Sequence, residues 1–405
     1  MFIFLGWVSI YSATYSDTEY EIFDFSTKYG KQFIWILLSF VLIIVILAID
    51  KKFYEQFSGV FYIVSILSLV GLFLFGKNIN GATSWYSFGS FAAIQPAEFA
   101  KAATSLAIAN YLNERNQDLR KLNNQLKAFG IILLPALLIT LQPDPGSALV
   151  YGSLILVLYR FGLPMYYLII GLIATVLFVS TLYFGYINTL ILTLIIITIL
   201  FFYLNYKNKN FIRDNWFKFL LLYFFTSLFI FSVDYVFNNV FEQRHRDRFN
   251  ILLGKDVDDQ GIGYNFVQYV ITISSGGFNG KGFLQGDRTQ GDFVPEQQTD
   301  YIFSSIGEEW GFLGSGFVIL LFMAFLLRLL QIADRQKSTF SKVYAYAIVA
   351  IFFFHFTINI GMVIGLLPTI GIPLPFFSYG GSSLWGFTVL LFILIRLDAD
   401  RIYEW

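Results

Sequence analysis

Residues 188–205, NTLILTLIIITILFFYLN, form an apolar run without a charged side chain. A helix needs about 20 mostly apolar residues to cross the hydrocarbon core of a bilayer, so this run predicts a membrane-spanning helix. We count twelve such runs along the chain, at about 1–13, 32–49, 57–76, 96–113, 128–142, 146–163, 165–186, 188–205, 216–240, 301–328, 341–366 and 382–397. The sequence therefore predicts an all-α polytopic integral membrane protein with about 12 transmembrane helices.

The composition agrees with a membrane protein. Hydrophobic residues make up 57% of the 405 residues and charged residues 13%, and the mean hydropathy is +0.65. A soluble domain carries about 25% charged residues. The formal net charge is zero, so we expect no nucleic-acid partner. The chain has no cysteine, which excludes disulfides and thiolate chemistry, and its two histidines, His245 and His355, match no zinc spacing.

The distribution of Lys and Arg predicts the orientation of the spans. With a cytoplasmic N-terminus, 17 of the 27 basic residues fall in cytoplasmic loops, while the short outer loops hold only Lys28, Lys31 and Lys77. Both termini then lie in the cytoplasm, and the polar residues 241–300 form an extracytoplasmic loop in which we expect the chemistry. Residues 1–13 are too short to span a bilayer, so we expect a truncated first helix; a short interfacial helix is the alternative.

Two ionisable residues follow a helix-start signal in QPAEFAK, residues 95–101. Pro96 favours a helix start, and Glu98 then lies at the positive end of the helix dipole. Glu98 and Lys101 have the i, i+3 spacing that lets them pair. Ionisable groups at membrane depth are costly and often functional, but an ion pair that only orients the helix is the alternative.

Two further segments break the helical pattern. In QPDPGS, residues 142–147, two prolines force a non-helical break. Gln142 and Asp144 are suited to bind the freed backbone groups, and Asp144 is also a candidate helix cap. Residues 359–383, NIGMVIGLLPTIGIPLPFFSYGGSS, read as a re-entrant or broken segment, which we expect to be scaffold for a cavity.

The outer loop carries the remaining candidates. Arg244, Arg246 and Arg248 suggest a phosphate or diphosphate site, because guanidinium binds phosphate oxygens in pairs; contact with lipid headgroups is the alternative. Asp300 ends the loop directly before an apolar run. We interpret it either as a general base in a partly dry site or, with Thr299, as a helix N-cap.

The chain resembles the SEDS family (shape, elongation, division and sporulation proteins) through six motifs in the family's order. They are QPAEFAK (95–101), QPDPGSALV (142–150), GIGYNFVQ (261–268), SSGGFNGKGFLQG (274–286), FVPEQQTDYIFSSIGEEWGFLG (293–314) and the segment 359–383. Within the family, GMVIGLLPTIGIPLPF looks more like the elongation branch, RodA, than the division branch, FtsW. The resemblance covers nearly the whole chain, so we expect a single membrane domain over 1–405.

The resemblance implies a peptidoglycan glycosyltransferase of the bacterial cytoplasmic (inner) membrane that polymerises lipid II during elongation. It implies a class B penicillin-binding protein as transpeptidase partner, beside other membrane proteins of the elongation complex. The family's essential outer-loop Asp falls on Asp300. The expected substrate-binding residues are Glu98, Lys101, Arg244, Arg246, Arg248, Lys281, Glu296 and Thr299. The motif positions expected to be structural are Trp85, Gln142, Asp144, Gly276, Gly277, Asn359, Pro373, Pro375, Ser378, Gly380 and Gly381.

Two departures from the family pattern stand out. Family members usually have ten spans, so we interpret residues 188–240 as an extra transmembrane hairpin. The Arg that commonly precedes the Trp after the third span is replaced by Ser84, before Trp85. No cofactor is certain; a divalent cation, Mg²⁺ or Mn²⁺, is allowed. The alternatives are a division-type glycan polymerase, a lipid II flippase or other transporter, and a non-catalytic scaffold.

Overall fold

The computed structural model describes the chain except residues 16–24, 80, 90–91, 115–117, 208–210, 256–261, 292, 295 and 402–405. The side chains of residues 88, 92, 211–214, 244–245 and 262–265 also lie outside the described part. The chain divides into two compact units. One unit contains residues 1–164 and 264–405, and the other contains residues 165–263.

Seventeen α-helices account for most of the described residues. They are α1 (Phe2–Thr14), α2 (Lys28–Ala48), α3 (Lys51–Gln56), α4 (Ser58–Phe75), α5 (Pro96–Asn113), α6 (Leu122–Thr140), α7 (Pro145–Val150), α8 (Leu154–Arg160), α9 (Tyr166–Phe184), α10 (Tyr186–Lys207), α11 (Phe211–Asn239), α12 (Gln243–Leu252), α13 (Ile262–Ser275), α14 (Asp287–Gln290), α15 (Ile302–Asp334), α16 (Thr339–Val363) and α17 (Gly381–Asp400). A short 3₁₀ turn, Tyr151–Ser153, joins α7 to α8.

Local chemistry explains where several helices begin. Thr27 caps α2, because its hydroxyl accepts a hydrogen bond from the Gly30 N–H at 3.2 Å. Ser338 caps α16 in the same way through the Ser341 N–H. Pro96 occupies the first turn of α5, where its missing N–H has no helical partner to lose.

Nine helices in the described part of the chain are long and apolar enough to cross a membrane. The prediction of a polytopic helical membrane protein is thus confirmed. The predicted count of about twelve spans is not reached in the described residues, because three of the predicted spans do not form such helices. The run at 1–13 forms the short helix α1. The run at 96–113 forms α5, which carries Glu98 and Lys101. The run at 146–163 is divided by the 3₁₀ turn, so none of its pieces reaches the length of a span.

Helix α16 is enclosed within the first unit. In its most apolar 18-residue stretch 78% of the residues are buried, whereas in that of α2 only 17% are. Aromatic side chains fill the space around it. The rings of Phe322 and Phe356 stack at 5.0 Å, and those of Phe352 and Phe376 stack at 5.7 Å. Because α16 is enclosed by protein, its polar side chains face other residues of the unit rather than lipid.

A small antiparallel sheet interrupts the helices, which the all-α prediction did not include. Its strands are β1 (Lys77–Ile79), β2 (Ala82–Phe88) and β3 (Ala92–Ile94), in that order. Lys77 pairs with Trp85, and Tyr86 pairs with Ile94. The local sequence explains why the sheet forms. The segment ATSWYSF is rich in β-formers and lies between turn glycines, which is a hairpin pattern that the surrounding apolar runs obscured.

The polar region 241–300, expected to be a long loop, contains α12, α13 and α14. After α13 the chain runs along the first turns of α15 at very close range. A Cβ atom on Gly276 would lie 1.9 Å from the carbonyl oxygen of Gly307. Gly311 breaks α15 with a φ of +62°, and the Phe312 N–H donates to the carbonyl of Gly277, which itself has a φ of +57°. A side chain at Gly276 or Gly311 would displace backbone, and the positive φ of Gly277 and Gly311 favours glycine.

The second unit consists of α9, α10, α11 and α12. Its buried cluster is Leu182, Val233 and Phe237, against which Phe178 and Phe249 pack. Lys255 Nζ donates to the carbonyl of Leu182 at 2.7 Å. Residues 188–240 thus fall on α10 and α11; that they are an addition to a ten-span core stays a prediction.

Candidate active site

Asp300 lies directly before α15 and is half-buried. The N-cap of α15 is Tyr301, whose side chain makes no capping hydrogen bond. The N-cap position is therefore neither Thr299 nor Asp300, contrary to the alternative prediction. The Thr299 hydroxyl donates instead to the backbone carbonyl of Glu296 at 2.9 Å and approaches its carboxylate at 3.3 Å.

The broken segment after α16 lies against Asp300. The Asn359 side-chain N–H₂ donates to the carbonyls of Asp300 at 2.8 Å and Ile372 at 2.7 Å. A Cβ atom on Gly371 would lie 3.2 Å from Asp300 Oδ2, which places the carboxylate beside this segment. The Tyr379 N–H donates to the carbonyl of Gln298 at 2.8 Å. The segment thus fixes the backbone on both sides of Thr299.

Three other motif residues hold the backbone of this segment in place, namely Ser378, Gly380 and Gly381. Ser378 Oγ accepts a hydrogen bond from the Leu374 N–H at 2.8 Å, which closes the turn through Pro375. The Gly380 N–H donates to Gln32 Oε1 at 3.1 Å. A Cβ atom on Gly381 would lie 2.8 Å from the ring of Trp35, so a glycine permits this contact.

Glu98, Lys101 and His355 form a buried group in the first unit. Lys101 Nζ lies 2.8 Å from Glu98 Oε2 and 3.0 Å from His355 Nε2. His355 Nδ1 lies 3.2 Å from the carbonyl of Pro373. This geometry places the imidazole proton on Nδ1, so that Nε2 accepts from the ammonium. The Lys101 side chain is 1% exposed, so the structure does not bring it to an open surface where it was expected to bind diphosphate.

A second buried carboxylate, Glu308, fixes the loop that follows α13. It accepts hydrogen bonds from the Thr289 N–H and hydroxyl at 2.8 and 2.7 Å, and from Lys281 Nζ at 2.7 Å. The Glu308 carboxylate raises the pKa of Lys281 above its ordinary value of 10.5. Lys281 also pairs with Asp287, so this predicted diphosphate ligand already has two anionic partners. The neighbouring Glu309 accepts from Ser12 and from the Leu284 N–H.

Gln142 and Asp144 stabilise the break between α6 and α7. Gln142 Nε2 donates to the carbonyl of Leu69 at 2.8 Å. Asp144 caps α7 by accepting from the Ser147 N–H at 3.0 Å, and its other oxygen accepts from Gln95 Nε2 at 2.9 Å. The capping role of Asp144 is confirmed by the hydrogen bond from the Ser147 N–H.

The three predicted arginines lie in the second unit, on α12. The Arg244 side chain is outside the described residues. Arg246 Nη1 donates to the carbonyl of Asn238 at 3.0 Å, and Arg248 is half-buried. Their role in phosphate binding stays a prediction. Among the described residues, no three His, Asp or Glu side chains come together as a metal site.

A cavity of about 450 Å³ lies beside Thr299, the residue that precedes Asp300. Its charged and aromatic lining residues are Lys31, Lys77, Trp35, Trp85, Trp385 and Tyr379. The Trp35 and Trp385 rings meet edge to face at 5.2 Å in its wall, a favourable geometry for an aromatic pair. Burial raises the pKa of Tyr379, so its hydroxyl stays neutral. The volume and mixed lining are typical of a small-molecule site.

A separate apolar groove of about 560 Å³ lies between α2, α4, α5 and α17. Its lining includes Val45, Val64 and Phe99, and no described lining residue is charged. Ile94, at the end of β3, lines both the groove and the cavity. The two spaces are therefore neighbours, one suited to a hydrocarbon chain and the other to a polar group.

Several of these residues were not predicted from the sequence. Lys31 and Lys77 were noted only as outer-loop charges, because their approach to Thr299 depends on the tertiary fold. His355 was set aside for lack of zinc spacing. Glu308 and Glu309 carried a usable signal, since adjacent carboxylates inside an apolar run indicate a special environment.

A family model described as a cell cycle protein, FtsW/RodA/SpoVE, matches residues 1–403. The chain belongs to this family. Among FtsW/RodA/SpoVE relatives, it is 33% identical to the peptidoglycan glycosyltransferase RodA of Treponema pallidum over 430 residues, covering 98% of this chain and 95% of the relative. It is also 33% identical to the peptidoglycan glycosyltransferase MrdB of Escherichia coli K12, covering 95% and 88% of the two chains. The resemblance found in the sequence is confirmed.

Solved structures agree with membership in the FtsW/RodA/SpoVE family. One chain of a peptidoglycan synthase complex that coordinates polymerization and crosslinking superposes with a TM-score of 0.72 at 24% identity, covering 100% of this chain and 96% of that chain. The rod shape determining protein RodA of Thermus thermophilus superposes with a TM-score of 0.62 at 21% identity, covering 100% and 94%. At these identities the match establishes the fold.

Proposed function

We propose that this protein is a peptidoglycan glycosyltransferase that polymerises lipid II into glycan strands during cell elongation. The observation that carries the proposal is the cavity beside Thr299, the residue before Asp300, in a chain whose 33% identical relatives are named as glycosyltransferases of this kind. The cavity adjoins an apolar groove at Ile94. A lipid-linked sugar needs this arrangement, with its tail in a lipid-facing groove and its head beside a reactive group.

The reaction is attack by a sugar hydroxyl on an anomeric carbon, with lipid diphosphate as the leaving group. An α-linked donor that becomes a β-linked chain requires inversion, hence a single in-line displacement. The base must lie near the acceptor hydroxyl and hold the proton as the new bond forms. Asp300 is the proposed base, and a base in this role contributes about 10²–10⁴-fold in rate. A role for a divalent cation stays a prediction, and no step of this mechanism depends on it.

The contacts of Asp300 suit a base that must be held in place. Asn359 fixes its carbonyl, and Tyr379 fixes the carbonyl of Gln298 two residues earlier. Both donors act on backbone carbonyls, so they fix the chain on either side of Thr299. A general base must be held in a fixed position to take the proton efficiently.

We further propose that the protein lies in the bacterial cytoplasmic membrane with both termini inside and with the cavity facing outward. The excess of Lys and Arg in the assigned inner loops supports this orientation. We propose a class B penicillin-binding protein as partner, since one superposed chain belongs to a complex for polymerization and crosslinking. A partner helix in the membrane would contact the exposed apolar side chains of a lipid-facing helix.

Glycan synthesis by the purified protein from pre-formed lipid II in detergent tests this function. Glycan products from the wild type, with or without the partner, and their loss in Asp300→Asn are the expected results. Asp118→Asn, an exposed carboxylate on an inner loop, is the matched control and should keep activity. A flippase makes no glycan in detergent, so absence of product from a folded preparation with its partner would contradict the proposal. Full activity of Asp300→Asn would exclude Asp300 as the base.

A further inference from the structure

The cavity beside Thr299 contains two lysines that come from different elements. Lys31 lies in the first turn of α2, and Lys77 lies in β1, in register with Trp85 of β2. Neither lysine side chain has a hydrogen bond or ion pair within the described part of the chain. None of the described residues that line the cavity is acidic. The described part of the cavity wall thus carries two positive charges and no carboxylate.

Positive charges gathered in a concave, partly enclosed space attract anions more strongly than the same charges on an open surface. The remaining wall adds to this preference. Helix α17 begins at the cavity, at Gly381, and the first turn of a helix carries unpaired N–H groups with partial positive charge. The two lysines are the main source of attraction for an anion, and the positive end of the helix adds to it.

The other predicted phosphate ligands of the first unit are not available in this way. Lys101 is buried and paired with Glu98, and Lys281 is paired with Glu308 and Asp287. Lys31 and Lys77 are the two lysines of this unit that line the cavity beside Thr299. They therefore meet the requirement for positive charge near a departing phosphate better than either of the residues chosen from the sequence.

The neighbouring groove indicates which anion fits. Ile94 lines both the cavity and the apolar groove, so an occupant of both spaces has an anionic head joined to a hydrocarbon tail. Trp35, Trp85 and Trp385 form broad apolar faces around the head, which suits the neutral part of a sugar-bearing headgroup. A polyprenyl diphosphate has both the charge and the tail.

We propose that Lys31 and Lys77 form a subsite for the diphosphate of a polyprenyl lipid, with the tail in the adjoining groove. The assignment of this lipid as a glycosyl donor or its product rests on the proposed function, but the binding itself does not. Each ammonium supplies charge-assisted hydrogen bonds to phosphate oxygens. The subsite holds the leaving group beside Thr299, one residue before the proposed base.

Binding of farnesyl diphosphate to the purified full-length protein tests the subsite. The change in tryptophan fluorescence reports binding, because three tryptophans line the cavity. Lys31→Gln and Lys77→Gln should each weaken binding by about tenfold, since each removes a charge-assisted contact. Wild-type affinity should fall as salt rises from 50 mM to about 0.5 M, and less so in the double variant, because salt screens partly exposed charges.

Lys28→Gln is the matched control. Lys28 is an exposed lysine in the same first turn of α2, and it does not line the cavity. It should bind farnesyl diphosphate as the wild type does, and Lys31→Arg and Lys77→Arg should retain most of the affinity. Equal losses in Lys28→Gln and Lys31→Gln would show a general charge effect and overturn the subsite. Thermal unfolding of each variant verifies that it is folded.

Two further ligands test whether binding requires both the diphosphate and the hydrocarbon tail. Farnesol should bind much more weakly than farnesyl diphosphate; equal binding would show that the groove alone binds the lipid. Inorganic diphosphate should compete only at much higher concentration; equal affinity with the same lysine dependence would mean a free-phosphate site and overturn the lipid assignment. Asp300→Asn should bind farnesyl diphosphate at least as tightly as the wild type and with the same dependence on Lys31 and Lys77, since it removes a nearby negative charge. Loss of polymerisation with intact lysine-dependent binding then separates the subsite from the catalytic assignment.

Discussion

Asn359 and Asp300 are joined by a hydrogen bond from the Asn359 side-chain N–H₂ to the Asp300 carbonyl at 2.8 Å. The same N–H₂ group donates to the carbonyl of Ile372 at 2.7 Å, and Asn359 is fully buried. One amide therefore holds the proposed base against the broken segment that follows α16. His355 lies one helical turn earlier and contacts the next carbonyl, that of Pro373.

Substitution of Asn359 should impair glycan synthesis in folded protein. Asn359→Ala leaves two buried carbonyls without donors, and an unpaired buried polar group costs about 1–3 kcal/mol. Asn359→Asp should be worse, because a carboxylate would face two carbonyl oxygens. Thermal unfolding and polymerisation rate are the measurements. Asn124→Ala, which loses one exposed hydrogen bond to the carbonyl of Asp118, is the control. Equal rates for Asn359→Asp and the wild type would show that this contact does not position Asp300.

The Glu98–Lys101 pair should show strong coupling in a double-mutant cycle. Removing one partner of a buried pair leaves an uncompensated charge and costs about 3–5 kcal/mol. Lys101→Met and Glu98→Gln should each lower the unfolding temperature, and the double variant should lose less than the sum. Asp50→Asn, whose exposed carboxylate pairs with Arg396, should change stability by less than about 1 kcal/mol. Additive single effects would show that the two buried charges are independent.

Gly276→Ala should destabilise the protein, whereas Gly59→Ala should not. The new methyl group at position 276 would lie 1.9 Å from the Gly307 carbonyl oxygen, so backbone must move. At Gly59, in α4, nothing lies within 4 Å of the new methyl group, and alanine in a helix is favoured over glycine by roughly 0.5–1 kcal/mol. Thermal unfolding of the two variants compares them directly. Similar unfolding temperatures would mean that the loop after α13 adjusts without cost.

Much of the fold follows from the sequence because membrane spans are long and strongly apolar. The helices appear at the predicted runs, and the pairing of Glu98 with Lys101 follows from their i, i+3 spacing. Tertiary context decided the rest. The 3₁₀ turn at Tyr151–Ser153 divides one run, and the hairpin around Trp85 forms a small sheet among described elements that are mostly helices.

The site was predictable only where one segment contains it. Asp300 could be predicted from its position in the sequence, because it lies between a polar loop and an apolar run. The cavity is different, because Lys31, Lys77 and Trp385 come from separate parts of the chain. Local periodicity cannot indicate that they meet. The role of His355 was hidden for the same reason, since its partners Lys101 and Pro373 are distant in sequence.

The shared position of Ile94 has a consequence for how a lipid arrives. A lipid that diffuses sideways within one leaflet of the membrane can place its chain between α2 and α4 while its head occupies the cavity. Delivery then needs neither extraction from the bilayer nor passage of the sugar through an apolar barrier. The size of the side chain at position 94 would set how closely head and tail can approach, and it thereby selects amphiphiles by the length of the link between them.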